Sequence, residues 1–363
     1  MLLLWPYAAL VVAVFAMSAG GLWFALLPDA PPIMKACWRL LLTALLQLPG
    51  FLLQSRALAP EFWLKFRASL LHLLLIGASL GAHFGSWSWS VSHTSLAHSL
   101  LLVWTTPLLM VALMLGRAAL HSRGVWVELG AQAAAPPLGP TLREGAGAVV
   151  GFIGVALLLG GAEGSSSTGG EVAVSLAGDA AALLGAAAII PYLEGGAQLR
   201  AWMPLFVYAM PVTLAAAGFL CLASLALEGA AGATLWGTGP SALLGFLGSP
   251  RRAGLSLGAA LVSGILGHTL VNLALRHLSP LLISVSCLWE PVLGSVLGYL
   301  VGLQGSPSIV TAVAAPLILA GGVLVTLGAR PPGGEPEPGA EAREQPEGAP
   351  AQASESMQSP PTP

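Results

Sequence analysis

The sequence predicts an all-α integral membrane protein with ten transmembrane helices arranged as two inverted five-helix repeats. Three observations lead to this prediction: the composition, the number of long apolar runs, and a similarity between two segments of the chain. Of the 363 residues, 56% are hydrophobic and only 8% are charged, whereas a soluble domain carries about 25% charged residues. Because so few polar groups cannot cover a water-facing surface, we expect the protein to lie in a lipid bilayer.

The composition and the motifs also exclude several classes of protein. The net charge of −2 gives no indication of a nucleic-acid partner. The cysteines (Cys37, Cys221 and Cys287) lie in apolar runs without metal-binding spacing, and no histidine falls in an H-E-x-x-H frame. The chain contains no G-x-x-x-x-G-K-[ST] loop for ATP. We therefore expect neither an enzyme nor a protein with a metal or other cofactor.

Ten apolar runs are each long enough to cross a bilayer as a helix, which takes roughly 20 residues. They cover residues 5–27, 33–53, 69–91, 95–115, 144–161, 174–193, 202–227, 254–275, 280–303 and 308–327. The first run has no basic residues before it and stays apolar for longer than a signal peptide does. This favours a membrane span over a cleaved leader.

The charges between the runs predict the orientation. With both termini in the cytoplasm, most loop arginines and lysines lie on the inner side, and Arg251 and Arg252 lie outside. This topology makes residues 116–143 an inner loop and residues 228–253 an outer loop. The chain from Pro331 onward is rich in Pro, Gly, Glu and Ala and lacks aromatic residues, which predicts a disordered cytoplasmic tail.

Two segments of the chain resemble each other and indicate an internal repeat. His93–Pro107 reads HTSLAHSLLLVWTTP and His277–Pro291 reads HLSPLLISVSCLWEP, with the first His, the Ser two residues later and the final Pro in register. Each half, residues 1–161 and residues 174–328, then holds five helices. Because five is odd, the second half enters the membrane from the opposite side. Inverted repeats of this kind are typical of transporters, with the substrate site near the midplane.

Five stretches of the chain resemble successive helices of a known family. They are Pro31–Pro49, Thr94–Leu115, Gly178–Ala188, Asn272–Arg276 and Trp289–Pro291. Taken together and in order, they resemble the drug/metabolite transporter superfamily, EamA type. The resemblance implies a ten-helix secondary carrier of a small solute without an ATP site. Where that family often has Gly-Glu, this chain has Gly116-Arg117 and Gly302-Leu303.

Glu290 is the leading candidate for function. It lies about 15 Å into its predicted helix at 1.5 Å per residue, near the bilayer midplane. An acidic side chain at a helix centre costs about 2.5–3.5 kcal/mol to insert. Glu290 either exchanges a proton or pairs a cationic substrate, or else a neighbouring helix satisfies it and it fixes packing. Pro291, and Pro107 in the first half, predict helix breaks.

Lys35 and Arg39 are four residues apart and share a helix face. Lys35 lies near the outer end, where its ammonium either contacts the substrate or reaches the interface. Arg39 lies one turn deeper and either neutralises an anionic substrate or pairs with Glu290.

A further group of polar and aromatic side chains is predicted to line a substrate path. His83 and Trp87 share a face of the third helix, with His98 and Trp104 on the fourth. The alternative for the tryptophans is a belt at the membrane interface. His268 and Asn272 share a face of the eighth helix, where lining the path and hydrogen bonding between helices are both open.

The sequence thus predicts a secondary transporter of a small organic metabolite or drug-like solute, working by alternating access in the plasma membrane. Its expected partners are that solute, the lipid bilayer, protons as a candidate coupling ion, and a second copy in a homodimer. One alternative is an organelle exchanger of nucleotide sugars or sugar phosphates, in which Lys35 and Arg39 contact phosphate. Another is a membrane scaffold that transports nothing.

Overall fold

The structure, a computed structural model, describes residues 4–94, 96–123, 139–163, 174–302 and 309–329. Within these ranges the chain is helical and forms no β-strand, only an isolated bridge between Thr234 and Ala242. The tail predicted from Pro331 onward and most of the predicted inner loop, residues 124–138, lie outside the described residues.

The prediction of ten helices that are long and apolar enough to cross a membrane is confirmed within the described residues. These spans, numbered one to ten in chain order, are Trp5–Ala25, Pro32–Ser55, Leu70–Val91, His98–Ser122, Leu142–Gly160, Leu176–Arg200, Leu205–Leu227, Pro250–Ala274, Pro280–Leu300 and Ile309–Gly328.

The individual helices are shorter where a span is interrupted. They are α1 (Trp5–Ser18), α2 (Gly20–Ala25), α3 (Pro32–Ser55), α4 (Pro60–Ala68), α5 (Leu70–Val91), α6 (Leu96–Val103), α7 (Thr106–Ser122), α8 (Leu142–Glu163), α9 (Leu176–Arg200), α10 (Leu205–Leu227), α11 (Pro250–Ala259), a π-helix (Ala260–Thr269), α12 (Leu270–Ala274), α13 (Pro280–Cys287), α14 (Glu290–Leu300) and α15 (Ile309–Gly328).

Three span ends differ clearly from the sequence-based limits. Span four continues past residue 115 to Ser122, so the predicted loop 116–143 is wrong for its first seven residues. Span eight begins at Pro250, because the Ser249 hydroxyl accepts a hydrogen bond from the Arg252 N–H and caps the helix ahead of its apolar run. Span six continues past residue 193 to Arg200, because Glu194 stays in the helix and pairs with Arg117.

Spans four and nine are each divided into two helices. α6 and α7 are separated by two residues, Trp104 and Thr105, and α13 and α14 by Leu288 and Trp289. The same interval along the chain separates α6 from α13 and the start of α7 from the start of α14. Pro107 and Pro291 are the second residues of α7 and α14, where a helix does not need the missing N–H.

Span eight contains a feature that the sequence did not indicate, the π-helix between α11 and α12. Within it the Thr269 hydroxyl donates to the Gly264 carbonyl, five residues earlier, at 3.0 Å. Extended π-helical segments are rare and occur mainly at functional sites. This one carries His268.

The helices pack in pairs that relate the two halves. α3 lies along α10, and α8 lies along α15, which pairs span two with seven and span five with ten. α5 packs on α9, while α1 packs on the π-helix and α12, which pairs span three with six and span eight with one. Exchanging each span for the one five places away leaves this set of pairs unchanged.

The backbones of spans five and ten approach each other closely. A Cβ at Gly321 would lie 2.6 Å from both the carbonyl oxygen of Gly147 and the nitrogen of Gly151. Gly77 allows a similarly close contact between spans three and seven, since a Cβ there would lie 2.8 Å from the Val212 carbonyl oxygen. Small residues at such crossings allow helices to pack closely in lipid.

The segment predicted as an outer loop, residues 228–253, packs on the start of α3. The Trp38 indole N–H donates to the Ala242 carbonyl at 3.0 Å, and its ring meets Phe246 edge to face. The buried Glu228 carboxylate accepts the N–H groups of Ile33 (2.8 Å) and Met34 (3.0 Å). Those N–H groups have no partner within the helix, and an anion there is stabilised by the helix dipole.

Candidate functional site

Arg39 is a buried cation at the centre of the helical bundle. Its side chain extends from α3, the residue is 3% exposed, and its guanidinium lies over the ring of Phe84 on α5, 4.1 Å from the ring centroid. The ring of Phe24 lies 5.4 Å away. Desolvated contacts of this kind stabilise by about 2 kcal/mol. The Nε and Nη2 atoms of Arg39 have no hydrogen-bond partner.

Glu290 is the half-buried first residue of α14, beside the interruption of span nine. Its carboxylate interacts with the Cys287 thiol and electrostatically with Arg39. The described residues place no ion pair within 4.0 Å between Arg39 and Glu290. The two charges therefore influence each other across a gap, and the start of α14 favours the negative charge.

Phe84 brings two of the predicted histidines to Arg39. The rings of His83 and His268 each meet the Phe84 ring edge to face, with centroids 5.0 Å and 5.1 Å from it. His83 Nδ1 lies 2.9 Å from the Gly185 carbonyl oxygen. The π-helix that carries His268 thus faces α5 across the centre of the molecule.

Trp87 completes the group on α5. Its ring stacks on Phe24 with 5.9 Å between centroids, and its buried indole N–H has no hydrogen-bond partner. We call the side chains gathered here the central cluster; its members are Phe24, Arg39, His83, Phe84, Trp87, His268 and Glu290. Sequence reasoning missed Phe24 and Phe84, because an aromatic residue in an apolar helix carries no distinguishing signal.

Lys35 lies at the edge of the central cluster, with its ammonium 5.7 Å from the centroid of the Phe24 ring. Its ammonium donates to the carbonyl oxygens of Phe24 (3.2 Å) and Leu27 (3.3 Å), where the first span ends. The Phe24 carbonyl also accepts the Leu27 N–H at 3.2 Å, and a cation at a helix C-terminus is favoured by the dipole. The structure thus gives Lys35 a capping position, although it shares a helix face with Arg39.

The His98 ring contacts the Asp179 carboxylate near the start of α9. His98 Nδ1 lies 3.2 Å from Asp179 Oδ2, and the Thr94 hydroxyl donates to Asp179 Oδ1 at 2.7 Å. The contact ties span four to span six at one end, away from Arg39. Trp104 lies at the interruption of span four, and its buried indole N–H has no partner.

Asn272 bonds between helices. Its side-chain oxygen accepts from the Tyr192 hydroxyl at 2.9 Å, and its backbone oxygen accepts from the buried Arg200 Nε at 2.9 Å. Tyr192 in turn has its ring 6.5 Å from that of His268. Asn272 is therefore linked to the central cluster through Tyr192 and does not belong to it.

A second tie between spans four and six was not expected from the sequence. Arg117 and Glu194 form two parallel hydrogen bonds of 2.9 Å, the geometry that holds a guanidinium and a carboxylate most strongly. Arg117 reads as a loop charge beyond the fourth run and Glu194 as a residue beyond the sixth. Their pairing depends on a contact between distant helices.

The described residues contain no group of three or more histidine, cysteine or acidic side chains that could hold a metal ion.

The fold matches that of a solved protein crystal structure with a TM-score of 0.62 and 20% sequence identity. The match covers 90% of this chain and 98% of the other. No protein-family model matches the chain, and its sequence matches no curated protein. The structural match shows a shared fold.

Proposed function

We propose that the protein is a secondary transporter that moves a small organic solute by alternating access, with the central cluster as the solute site. The observation that carries this proposal is Arg39, a buried cation with two unpaired guanidinium nitrogens in a membrane span. Charges in the bilayer interior are costly and mark substrate or ion pathways. The gap between Arg39 and Glu290, and the helix interruption beside Glu290, suit a site that opens and closes.

We also propose that residues 1–161 and 174–328 are inverted five-helix repeats of the drug/metabolite transporter type, EamA. The matched interruptions of spans four and nine support this proposal, as do the helix pairs that persist when the halves are exchanged. Because each half holds five spans, equivalent helices cross the membrane in opposite directions. Both termini in the cytoplasm and a plasma-membrane location complete the proposal.

The exchanger of nucleotide sugars or sugar phosphates receives less support. That function would place Lys35 and Arg39 together on a phosphate, but the Lys35 ammonium is held by two backbone carbonyls. A scaffold would leave the unpaired edge of Arg39 without a role. A small solute at the central cluster accounts both for the unpaired edge of Arg39 and for the separate position of the Lys35 ammonium.

Flux through the purified full-length protein in liposomes tests the proposal. A panel of radiolabelled metabolites is offered with and without an imposed pH gradient. We expect at least one solute to move and Arg39→Gln to abolish its flux, while the exposed matched control Arg56→Gln behaves as wild type.

Glu290→Gln tests the proton as coupling ion, with exposed Glu61→Gln as its control. We expect the dependence on the pH gradient to vanish in Glu290→Gln alone. If that dependence survives the substitution, Glu290 does not couple protons. If no solute in a broad panel moves, the scaffold becomes the better explanation.

A further inference from the structure

We propose that the solute is a monoanion with an apolar body, that Arg39 holds its carboxylate or similar oxyanion group, and that Glu290 takes up a proton when the anion binds. This inference rests on the proposed transport function and specifies its solute class and coupling. Three features carry it: the orientation of the unpaired nitrogens of Arg39, the charges around them, and the rings beside them.

The two unpaired nitrogens lie on one edge of the guanidinium. The N–H of Nε and one N–H of Nη2 point in the same direction, which is the edge that grips both oxygens of a planar carboxylate. Arginine carries only donors, so the partner must present acceptors. The third guanidinium nitrogen, Nη1, lies beside Gly20, where an added Cβ would be 3.7 Å away. Both unpaired nitrogens are shielded from solvent in this conformation, so access requires helix movement.

The surrounding charges limit the ligand to one negative charge. Lys35 is engaged with the Phe24 and Leu27 carbonyls, and His83 Nδ1 is engaged with the Gly185 carbonyl. Among the described residues at the central cluster, Arg39 is then the one permanently charged cation that is free to bind an anion, and Glu290 already acts on it. A dianion would add excess negative charge in the membrane interior, where unpaired charge is costly.

Aromatic side chains set the character of the rest of the ligand. Phe24 and Phe84 stand beside the guanidinium, and Trp87 stacks on Phe24. These faces suit an aromatic or branched apolar body. The unpaired indole N–H of Trp87 offers one more donor for a polar substituent.

Proton uptake follows because Arg39 cannot neutralise both the Glu290 carboxylate and a bound anion. Glu290 begins α14, which packs against α2, and α2 carries the Phe24 ring beside Arg39. The groups that act on Glu290 are Arg39 on α3 and Cys287 on α13. α1 and α2 pack against α14, and their one titratable side chain is Tyr7, at the start of α1. When an anion takes the Arg39 edge, Glu290 loses its positive partner.

A proton from solution then converts the Glu290 carboxylate to the acid, since a lone carboxylate in the bilayer interior is unfavourable. The site gains one anion and one proton, so its net charge is unchanged. His83 and His268 act on Arg39 and favour an anion further whenever they are protonated.

A series of phenyl compounds that differ in charge tests the solute class. Calorimetric titration of the full-length protein in detergent uses benzoate and benzenesulfonate as monoanions, phenyl phosphate as a dianion, and benzyltrimethylammonium as a cation. We expect the monoanions to bind and the other two to bind much more weakly. Arg39→Gln should weaken monoanion binding at least about 30-fold. Arg39→Lys, which keeps the charge but not the two-donor edge, should be intermediate, and Arg56→Gln should be unchanged.

The same titration in two buffers of different ionisation enthalpy counts the protons taken up. We expect the wild type to take up protons, at most one per anion, with anion affinity rising as the pH falls. Glu290→Gln should bind the anion without proton uptake and without this pH dependence. Glu61→Gln should match the wild type.

Distinct results overturn the inference. Tighter binding of the cation or the dianion than of the monoanions, the absence of monoanion binding, or unchanged affinity in Arg39→Gln contradicts the assigned solute class. Undiminished proton uptake in Glu290→Gln contradicts the assigned coupling. If another class of solute moves in liposomes, transport stands and this inference falls. If monoanions bind with a proton but never cross, the site stands and the transport proposal falls.

Discussion

The rings of Phe84 and His268 meet edge to face, with centroids 5.1 Å apart and planes inclined by 80°. The interval between them along the chain equals that between Thr106 and Glu290, the first residues of α7 and α14. A two-fold relation between the halves would carry Phe84 onto His268, so their contact would lie on its axis. Under that relation the chemistry at the paired positions would be unequal, since Phe84 and Thr106 in one half would correspond to His268 and Glu290 in the other. The central cluster thus takes different ionisable side chains from the two halves, Arg39 and His83 from the first and His268 and Glu290 from the second.

Removing the Phe84 ring should destabilise the protein through Arg39. In Phe84→Leu the guanidinium loses the aromatic face 4.1 Å away, and we expect a loss of about 1–2 kcal/mol in the free energy of unfolding. Phe84→Tyr keeps the face and should lose less. Denaturant unfolding in detergent micelles measures both, and equal losses in the two variants would show that the ring does not support the cation.

Glu228 should contribute to stability by capping α3. Glu228→Ala removes the acceptor of the Ile33 and Met34 N–H groups, and we expect a loss of about 1–3 kcal/mol. Glu228→Gln keeps one acceptor oxygen but loses the charge, so it should fall between wild type and Ala. Thermal unfolding in detergent gives the order of stability. Exposed Glu61→Gln is the control, and a loss there as large as in Glu228→Ala would contradict the capping role.

The ten spans could be predicted because each needs only a local property, an apolar run of sufficient length. The interruption at Glu290 could also be predicted, because proline restricts its own helix. Arg39 and Glu290 stood out because charge is rare in such runs. For these features the relevant physics lies within a few residues of the chain.

The partners of these charges could not be predicted, because they lie on distant helices. Phe84 is one apolar residue among many until the fold brings Arg39 over its ring. Lys35 shares a helix face with Arg39. Because Lys35 lies nearer the start of α3, its ammonium instead meets two backbone carbonyls at the end of the first span. Glu228 reads as a loop charge until its carboxylate meets the start of α3. Each outcome depends on packing between elements.

His277 should make stability depend on pH. It lies between spans eight and nine with its ring 4.8 Å from that of Trp5. Desolvation, with the nearby positive charges of Arg276 and Arg200, lowers the pKa of His277 below its ordinary 6.5. The folded state therefore resists a proton that the unfolded chain accepts. Its contribution to stability is complete above about pH 6.5 and is lost as the pH falls through the lower folded-state value.

The measurement is thermal unfolding in detergent from neutral to mildly acidic pH. His277→Gln should lose less stability on acidification than the wild type does, by a small margin because the ring is partly exposed. Exposed His72→Gln should follow the wild type. An identical acid response in His277→Gln and the wild type would show that His277 does not couple stability to pH.

Gly321 and Gly322 provide a test of the crossing between spans five and ten. A Cβ at Gly321 would lie 2.6 Å from the Gly147 carbonyl oxygen, whereas a Cβ at Gly322 meets nothing within 4 Å. Because the backbones at Gly321 cannot approach so closely with a methyl group between them, Gly321→Ala should lose about 1–3 kcal/mol. Gly322→Ala should instead gain up to about 1 kcal/mol from helix propensity. The free energy of unfolding of each variant is measured in detergent. If α8 and α15 cross as described, it falls in Gly321→Ala and rises in Gly322→Ala. A change in the same direction in both variants would place the closest contact of the two helices elsewhere.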